Sequence, residues 1–160
     1  MTIELQREYF DSLTNEMVGH VCFEPMVPVY QSGMSQRSGQ DAQGFRTEFY
    51  KSLSPGQWAL FMFYTFYDHA IRSRDEFHLI STHYLLAGIF SAVIKGAVYF
   101  GDDSMQQLLM EIEQAFAEQN NLPNAQIDEL YHRLREIAPC ALTQIGIRIK
   151  ANPIEFICLI

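Results

Sequence analysis

Cysteine is scarce in this sequence of 160 residues, and its three cysteines are Cys22, Cys140 and Cys158. Their number is odd, they lie far apart, and no two form a Cys-x-x-Cys motif. The pattern therefore excludes a disulfide framework and a cysteine-based zinc site. Each cysteine has apolar neighbours, such as Val21 and Phe23 beside Cys22, which predicts that all three are small buried residues. Unpaired cysteines are typical of a reducing compartment, so we expect a cytoplasmic protein.

Long apolar runs are also absent. The most apolar stretch, residues 84–100, is 17 residues long and contains Lys95, whereas a transmembrane helix needs about 20 predominantly apolar residues. The first residues, Met1 to Arg7, lack the basic-then-apolar order of a secretory signal. The sequence therefore predicts a soluble protein that does not span a membrane.

Basic residues are few. There are 11 Lys and Arg against 19 Asp and Glu, which gives a formal net charge of −8. A negative field disfavours direct binding to nucleic acid or to an anionic membrane, because both are polyanions. The charge is compatible with a basic protein partner, but it is more typical of a protein that is acidic only to stay in solution.

Apolar residues make up 48% of the chain and aromatic residues 13%. This is enough to build a hydrophobic core without disulfides or a structural metal. Most of the chain shows helical periodicity, and no segment shows the alternation of strands joined by hairpin turns. We therefore predict a single all-α domain over residues 1–160, a bundle of six to seven helices. The predicted helices are about 2–18, 45–53, 54–72, 75–100, 104–119 and 125–138, followed by a segment in which Pro139 either kinks the last helix or begins a new one.

Three local features refine this prediction. Ser54-Pro-Gly-Gln57 matches a capping box, with Ser54 as the cap, Pro55 in the first turn and Gln57 reaching back. The segment of about 77–100 is apolar on all sides beyond Tyr84, so we expect it to be the central helix of the bundle. Residues 31–44 are rich in Gly, Ser and Gln, which predicts a polar loop.

No catalytic, metal or cofactor motif is evident. Glu129 and His132 have the Glu-x-x-His spacing of di-iron bundles, but at about 100° per residue they point away from the apolar face of their helix. His78 and His83 diverge by about 140° on a helix and cannot share one ion. The sequence therefore predicts no metal, no cofactor and no identifiable catalytic residue, and it favours a protein that is not an enzyme.

Three segments resemble the bacterial DNA-mimic protein family. They are the Gly-Gln-x-Ala-Leu run that leads into an aromatic helix within residues 54–64, the turn and helix start at 100–109, and the closing segment 149–156. Family members often have an Asn-Asn-Gly-Gly-aromatic turn where this chain has Ile71-Arg-Ser-Arg74, so the resemblance implies a divergent relative. It implies an all-helical, acidic and often dimeric protein, so a homodimer is among the expected assemblies. It does not imply DNA mimicry itself, which depends on the placement of surface carboxylates.

Two functions follow from these observations. The first is a non-enzymatic interaction module that presents an acidic face to a basic protein, with Asp102, Asp103, Glu111 and Glu118 as candidate partner-binding residues. The second is a small helical enzyme or ligand-binding protein with a site near residues 64–83. Its candidate pocket residues are Tyr64, Tyr67, His69 and His78. The net charge and the resemblance favour the first function slightly over the second.

Overall fold

The computed structural model describes residues 1–118 and 122–160, and over these residues it confirms the predicted all-α class. The described helices are α1 (Arg7–Ser12), α2 (Asn15–Phe23), α3 (Met26–Ser35), α4 (Gly39–Ser52), α5 (Pro55–Ala70), α6 (Arg74–Leu86), α7 (Phe90–Phe100), α8 (Asp103–Glu118) and α9 (Asn124–Ala151). A short 3₁₀ turn, Pro153–Glu155, follows α9. The predicted end of the fifth helix at Gln119 and the break after it lie partly outside the described residues.

Two very short strands bring the first and last described segments together. Strand β1 (Glu4–Leu5) pairs in parallel with β2 (Cys158–Leu159). The predicted first helix over 2–18 is therefore wrong in its bounds. Residues 4–5 extend to reach β2, and Thr14 interrupts the helix, because its hydroxyl accepts a hydrogen bond from Met17 N at the start of α2.

Helix α5 occupies the centre of the fold and packs against α2, α6 and α7. The predicted capping box is present: the Ser54 hydroxyl accepts from Gln57 N at 3.1 Å, and Gln57 Oε1 accepts from Ser54 N at 3.1 Å. The Gln57 amide also donates to the carbonyls of Met1 and Phe156. Ten of the sixteen residues of α5 are buried, so the aromatic helix forms the core of the bundle.

The prediction of one central helix over 77–100 is wrong, because the chain bends by 106° between α6 and α7. Gly88 adopts a left-handed φ of 68°, and two hydrogen bonds close the turn, from Gly88 N to Leu85 O and from Ile89 N to Tyr84 O. This is the Schellman pattern that ends helices at glycine. Leu86, beside the turn, is 82% exposed, so the middle of the segment lies at the surface.

The prediction of a polar loop over 31–44 is also wrong. Helix α3 continues to Ser35 and α4 begins at Gly39, so that only residues 36–38 connect them. The two helices are held by aromatic contacts, since Phe45 packs against Tyr30 and the Arg37 guanidinium lies 4.8 Å from the centre of the Phe45 ring. Polar residues cover the outer faces, which explains why composition alone suggested a loop.

Three smaller predictions are decided by the structure. Pro139 lies inside α9 and does not begin a new helix; its ring is tolerated there because Arg135, four residues earlier, is exposed and its carbonyl can be solvated. Of the cysteines, Cys22 is buried as predicted, whereas Cys140 and Cys158 are exposed. Among the described residues no single helix is long and apolar enough to cross a membrane; only α6 and α7 taken together reach that length and composition, across their bend.

Candidate functional site

A cleft of about 600 Å³ opens between α2, α3, α5 and α6. Helix α5 forms one wall, because residues 61, 64, 65 and 68 recur at helical spacing and face the same side. The lining residues combine an aromatic and apolar part with a charged part. They are Phe23, Val27, Tyr30, Gln31, Phe61, Tyr64, Thr65, Asp68, His69, Arg72, Ile80, His83 and Tyr84.

The charged part of the cleft centres on Asp68. Its Oδ2 lies 3.2 Å from Nε2 of His20, and the two side chains are 24% and 49% exposed, respectively. Burial raises the pKa of the Asp68 carboxyl, and the nearby His20, Arg72 and His69 oppose this effect. A carboxyl that is partly desolvated and has an imidazole as its neighbour is a typical binding or acid–base group.

Tyr64 adds a polar group without a partner. The side chain is 1% exposed, and within the described part of the chain its hydroxyl makes no hydrogen bond. Burial raises its pKa strongly, and the neighbouring Asp68 adds to that effect. The ring stacks on Phe23, with centroids 5.3 Å apart, and Gly19 leaves the space that the hydroxyl fills. An unpaired buried hydroxyl costs about 1–3 kcal/mol, so this side chain is not optimised for stability alone.

The predicted pocket residues divide between two regions. Tyr64 and His69 line the cleft. Tyr67 instead stacks on Phe63, and His78 lies against Phe116 of α8. His78 is on α6, and its position five residues before His83 turns it toward α8 while His83 faces the cleft.

The sequence analysis did not name three charged residues of this site, His20, Asp68 and Arg72. Asp68 carried a usable signal, because it follows Tyr64 by four residues and shares one face of α5 with it. His20 carried none, since it reaches Asp68 from α2, 48 positions earlier along the chain.

A second, smaller cavity of about 220 Å³ adjoins the cleft. Four residues line both spaces, namely Tyr30, Phe61, Thr65 and Tyr84. We name this smaller cavity the side cavity. Its other lining residues are mainly apolar: Trp58, Met62, Ile89, Ala92 and Val93, together with Arg46 and Tyr50. The polar cleft and the mainly apolar cavity are therefore neighbours that share part of their lining.

The four acidic residues predicted to bind a partner lie at two places, the α8–α9 groove and the start of α8. Glu111 and Glu118 line a groove of about 320 Å³ between α8 and α9, together with Glu129. Asp102 is instead the cap of α8, accepting from Met105 N at 2.9 Å, and Asp103 begins the helix. At 1.5 Å per residue, Asp103 lies about 22 Å from Glu118 along the axis.

Charge in the α8–α9 groove is partly neutralised. Arg133 donates to Glu111 Oε2, and Gln107 donates to Glu111 Oε1 at 3.2 Å. These contacts lower the pKa of Glu111. Glu118 accepts from the Gln114 amide at 2.8 Å. The groove thus holds three carboxylates and one guanidinium that pairs with one of them.

Residues 1–118 and 122–160 contain no group of three or more His, Cys, Asp or Glu side chains that could hold a metal ion. Glu129 and His132 are exposed, in agreement with the predicted orientation of the Glu-x-x-His pair.

Comparison with protein families, with curated proteins and with solved structures finds no match to this chain. The resemblance to DNA-mimic proteins therefore stays a prediction, and the function must be argued from the site itself.

Proposed function

We propose that this protein binds a small organic ligand in the cleft between α2, α3, α5 and α6. The observation that carries the proposal is that Asp68, with His20 beside it, and several aromatic side chains occur together at a space of about 600 Å³. Ligand sites are typically apolar concavities of roughly 300–1,000 Å³ with a few convergent polar groups. This cleft has the expected size and the expected mixture of side chains.

Binding is better supported than covalent catalysis. The cysteine nearest to this region in the fold is Cys22 on α2, which is buried, and burial raises its pKa to about 12. A thiol with such a pKa is protonated near neutrality and is a poor nucleophile. The groups that line the cleft can donate, accept and carry charge, which suits recognition of a ligand.

The test uses three aromatic probes that differ in charge: phenol, benzyltrimethylammonium and benzenesulfonate. Each is titrated into the ¹⁵N-labelled protein, and amide shifts are followed by NMR. We expect saturable shifts in α2, α5 and α6 for at least one probe. In Val27→Trp the indole should fill the cleft and abolish these shifts. Val29→Trp is the matched control, because Val29 is on the same helix but is 48% exposed and does not line the cleft.

Two outcomes contradict the proposal. One is that none of the three probes gives saturable shifts at the cleft. The other is that Val27→Trp, shown to be folded by its amide spectrum, binds as well as Val29→Trp does.

A second candidate is the binding of a basic protein partner in the α8–α9 groove, as a non-enzymatic interaction module. The groove favours it because Glu118 and Glu129 are not paired there with Arg133, which contacts Glu111. A hexa-arginine peptide is a suitable probe. Binding should weaken in Glu118→Gln and Glu129→Gln, persist in Asp11→Asn on α1, and vanish at about 0.5 M salt, where screening is short-ranged. Binding that is indifferent to salt would rule out the electrostatic version.

We further propose a cytoplasmic location without direct nucleic-acid or membrane binding. The net charge of −8 and the three free cysteines support it. The homodimer expected from the family resemblance stays a proposal as well, to be checked by sedimentation at several concentrations.

A further inference from the structure

We infer that the ligand of the cleft is an organic cation, with its positive charge beside Asp68 and its apolar part against the residues that the cleft shares with the side cavity. The inference rests on the proposed ligand-binding function and adds the chemical class of the ligand. Three features of the cleft support this class of ligand: the charge at Asp68, the aromatic lining residues, and the side cavity that shares part of the lining.

The carboxylate of Asp68 provides a negative charge at the cleft. Its neighbour within salt-bridge distance is His20, at 3.2 Å. Arg72 lines the same cleft, but no contact within 4 Å joins it to Asp68 among the described residues. An imidazole that is half exposed provides less compensation than a guanidinium, so a ligand cation beside Asp68 would gain a favourable interaction.

Aromatic side chains line the same cleft as Asp68. Phe23, Tyr30, Phe61, Tyr64 and Tyr84 all line the cleft. Four of these rings pack in a row. The ring centroid of Phe23 lies 5.3 Å from that of Tyr64 and 5.9 Å from that of Phe61, and the Phe61 centroid lies 5.2 Å from that of Tyr30. A carboxylate beside several aromatic rings is the combination that recognises substituted ammonium groups, since ring faces attract cations.

The side cavity indicates where the rest of the ligand lies. It shares Tyr30, Phe61, Thr65 and Tyr84 with the cleft and adds Trp58 and Met62 beyond them. In the inferred complex, an aromatic or short alkyl group attached to the cation lies against the four shared residues, on the side of the cleft that adjoins the side cavity. The ligand is therefore amphiphilic, with a charged end and an apolar end.

Other charged groups limit the class of ligand. Arg72, His69 and His83 line the cleft, and His20 adjoins it through Asp68. If these groups dominated the local potential, the cleft would prefer an anion. A preference for cations over anions therefore supports the inference, and a preference for anions contradicts it.

The test compares benzyltrimethylammonium with benzenesulfonate, and follows binding by calorimetry and by the fluorescence of Trp58, which is the one tryptophan of the chain and lines the side cavity. We expect the cation to bind more tightly than the anion and to change Trp58 fluorescence. Asp68→Asn should weaken cation binding by about tenfold, and Arg72→Gln should strengthen it by about two- to threefold, because a repulsive charge is removed. Asp11→Asn, an exposed carboxylate on α1, is the matched control and should change nothing.

Because Arg72 is exposed, Arg72→Gln tests the inference even if Asp68→Asn does not fold. Tighter binding of benzenesulfonate, or cation binding that neither Asp68→Asn nor Arg72→Gln alters, would overturn the cation inference and leave ligand binding in place. Absence of binding by both of these probes and by phenol would overturn the inference and the proposed function together.

Discussion

The hydroxyl of Tyr64 is the side-chain group whose environment is hardest to explain by stability. It is buried against Gly19 of α2, and within the described chain it has no hydrogen-bond partner. Natural folds rarely leave a buried donor unpaired. The ring lines the cleft, whereas the hydroxyl packs on α2, so the ring and its hydroxyl lie in different environments.

We predict that Tyr64→Phe raises the free energy of unfolding by about 1 kcal/mol, because it removes an unpaired buried donor while keeping the ring. Urea denaturation measures the change. Gly19→Ala places a methyl group against the hydroxyl and should destabilise the wild type by about 1–3 kcal/mol, but less in the Tyr64→Phe background. Loss of stability in Tyr64→Phe would show that the hydroxyl is paired.

Glu111 gives a prediction about pH. Its pKa is lowered by the hydrogen bond from Arg133 and then by that from Gln107. A carboxyl whose pKa is depressed in the folded state stabilises the protein above its unfolded pKa, and this contribution is lost as the pH falls through the folded pKa. The wild type should therefore lose more stability than Glu111→Gln between neutral pH and about pH 3. Equal losses in the two proteins, measured by urea denaturation, would contradict the role of Arg133.

Helix ends in this protein are set by local chemistry that is partly readable from the sequence. The Ser54–Gln57 box predicted the start of α5, and the structure has both of its hydrogen bonds. Gly88 ends α6 with a left-handed φ. The sequence analysis did not predict this helix end, because the apolar residues on both sides fit one continuous helix. The polar composition of residues 31–44 predicted a loop, but most of this segment is helical. Contacts of Phe45 and Phe49 with Tyr30 hold α3 and α4 together, and a composition count does not show them.

The turn between α6 and α7 supplies a prediction with its own control. Gly88→Ala should destabilise the protein by about 1 kcal/mol, because its φ of 68° is costly for any residue with a side chain, although the space around it is open. Gly44→Ala meets open space too, but lies inside α4 without a left-handed φ. It should stabilise by about 0.5–1 kcal/mol through helix propensity. Thermal denaturation measures the change in stability for each variant. If both variants are stabilised, or both are destabilised, the description of the turn is contradicted.

The site was harder to predict than the fold, because its residues come from four helices. The sequence placed Tyr64 and His69 in a pocket within residues 64–83, and both line the cleft. The sequence also placed Tyr67 and His78 in that pocket. In the structure, Tyr67 stacks on Phe63 and His78 packs against Phe116, because each side chain points away from the cleft on its helix. His20 joins Asp68 through the packing of α2 against α5, and no spacing within one segment could reveal that pair.

Because the cleft is built from α2, α3, α5 and α6, a ligand there should stabilise the entire fold. A probe present at ten times its Kd raises the free energy of unfolding by about 1.4 kcal/mol, which corresponds to about 3–6 °C in Tm for a chain of this size. Differential scanning calorimetry with benzyltrimethylammonium checks this. The increase should disappear in Val27→Trp and persist in Val29→Trp. An increase of equal size in both variants would place the binding outside the cleft.

The most direct measurement is a crystal structure of the protein grown with benzyltrimethylammonium. We expect electron density for the probe between α2, α3, α5 and α6, with its ammonium within about 6 Å of an aromatic ring of the cleft and beside the carboxylate of Asp68. A crystal in which the probe occupies other surfaces while the cleft contains only water would contradict the account.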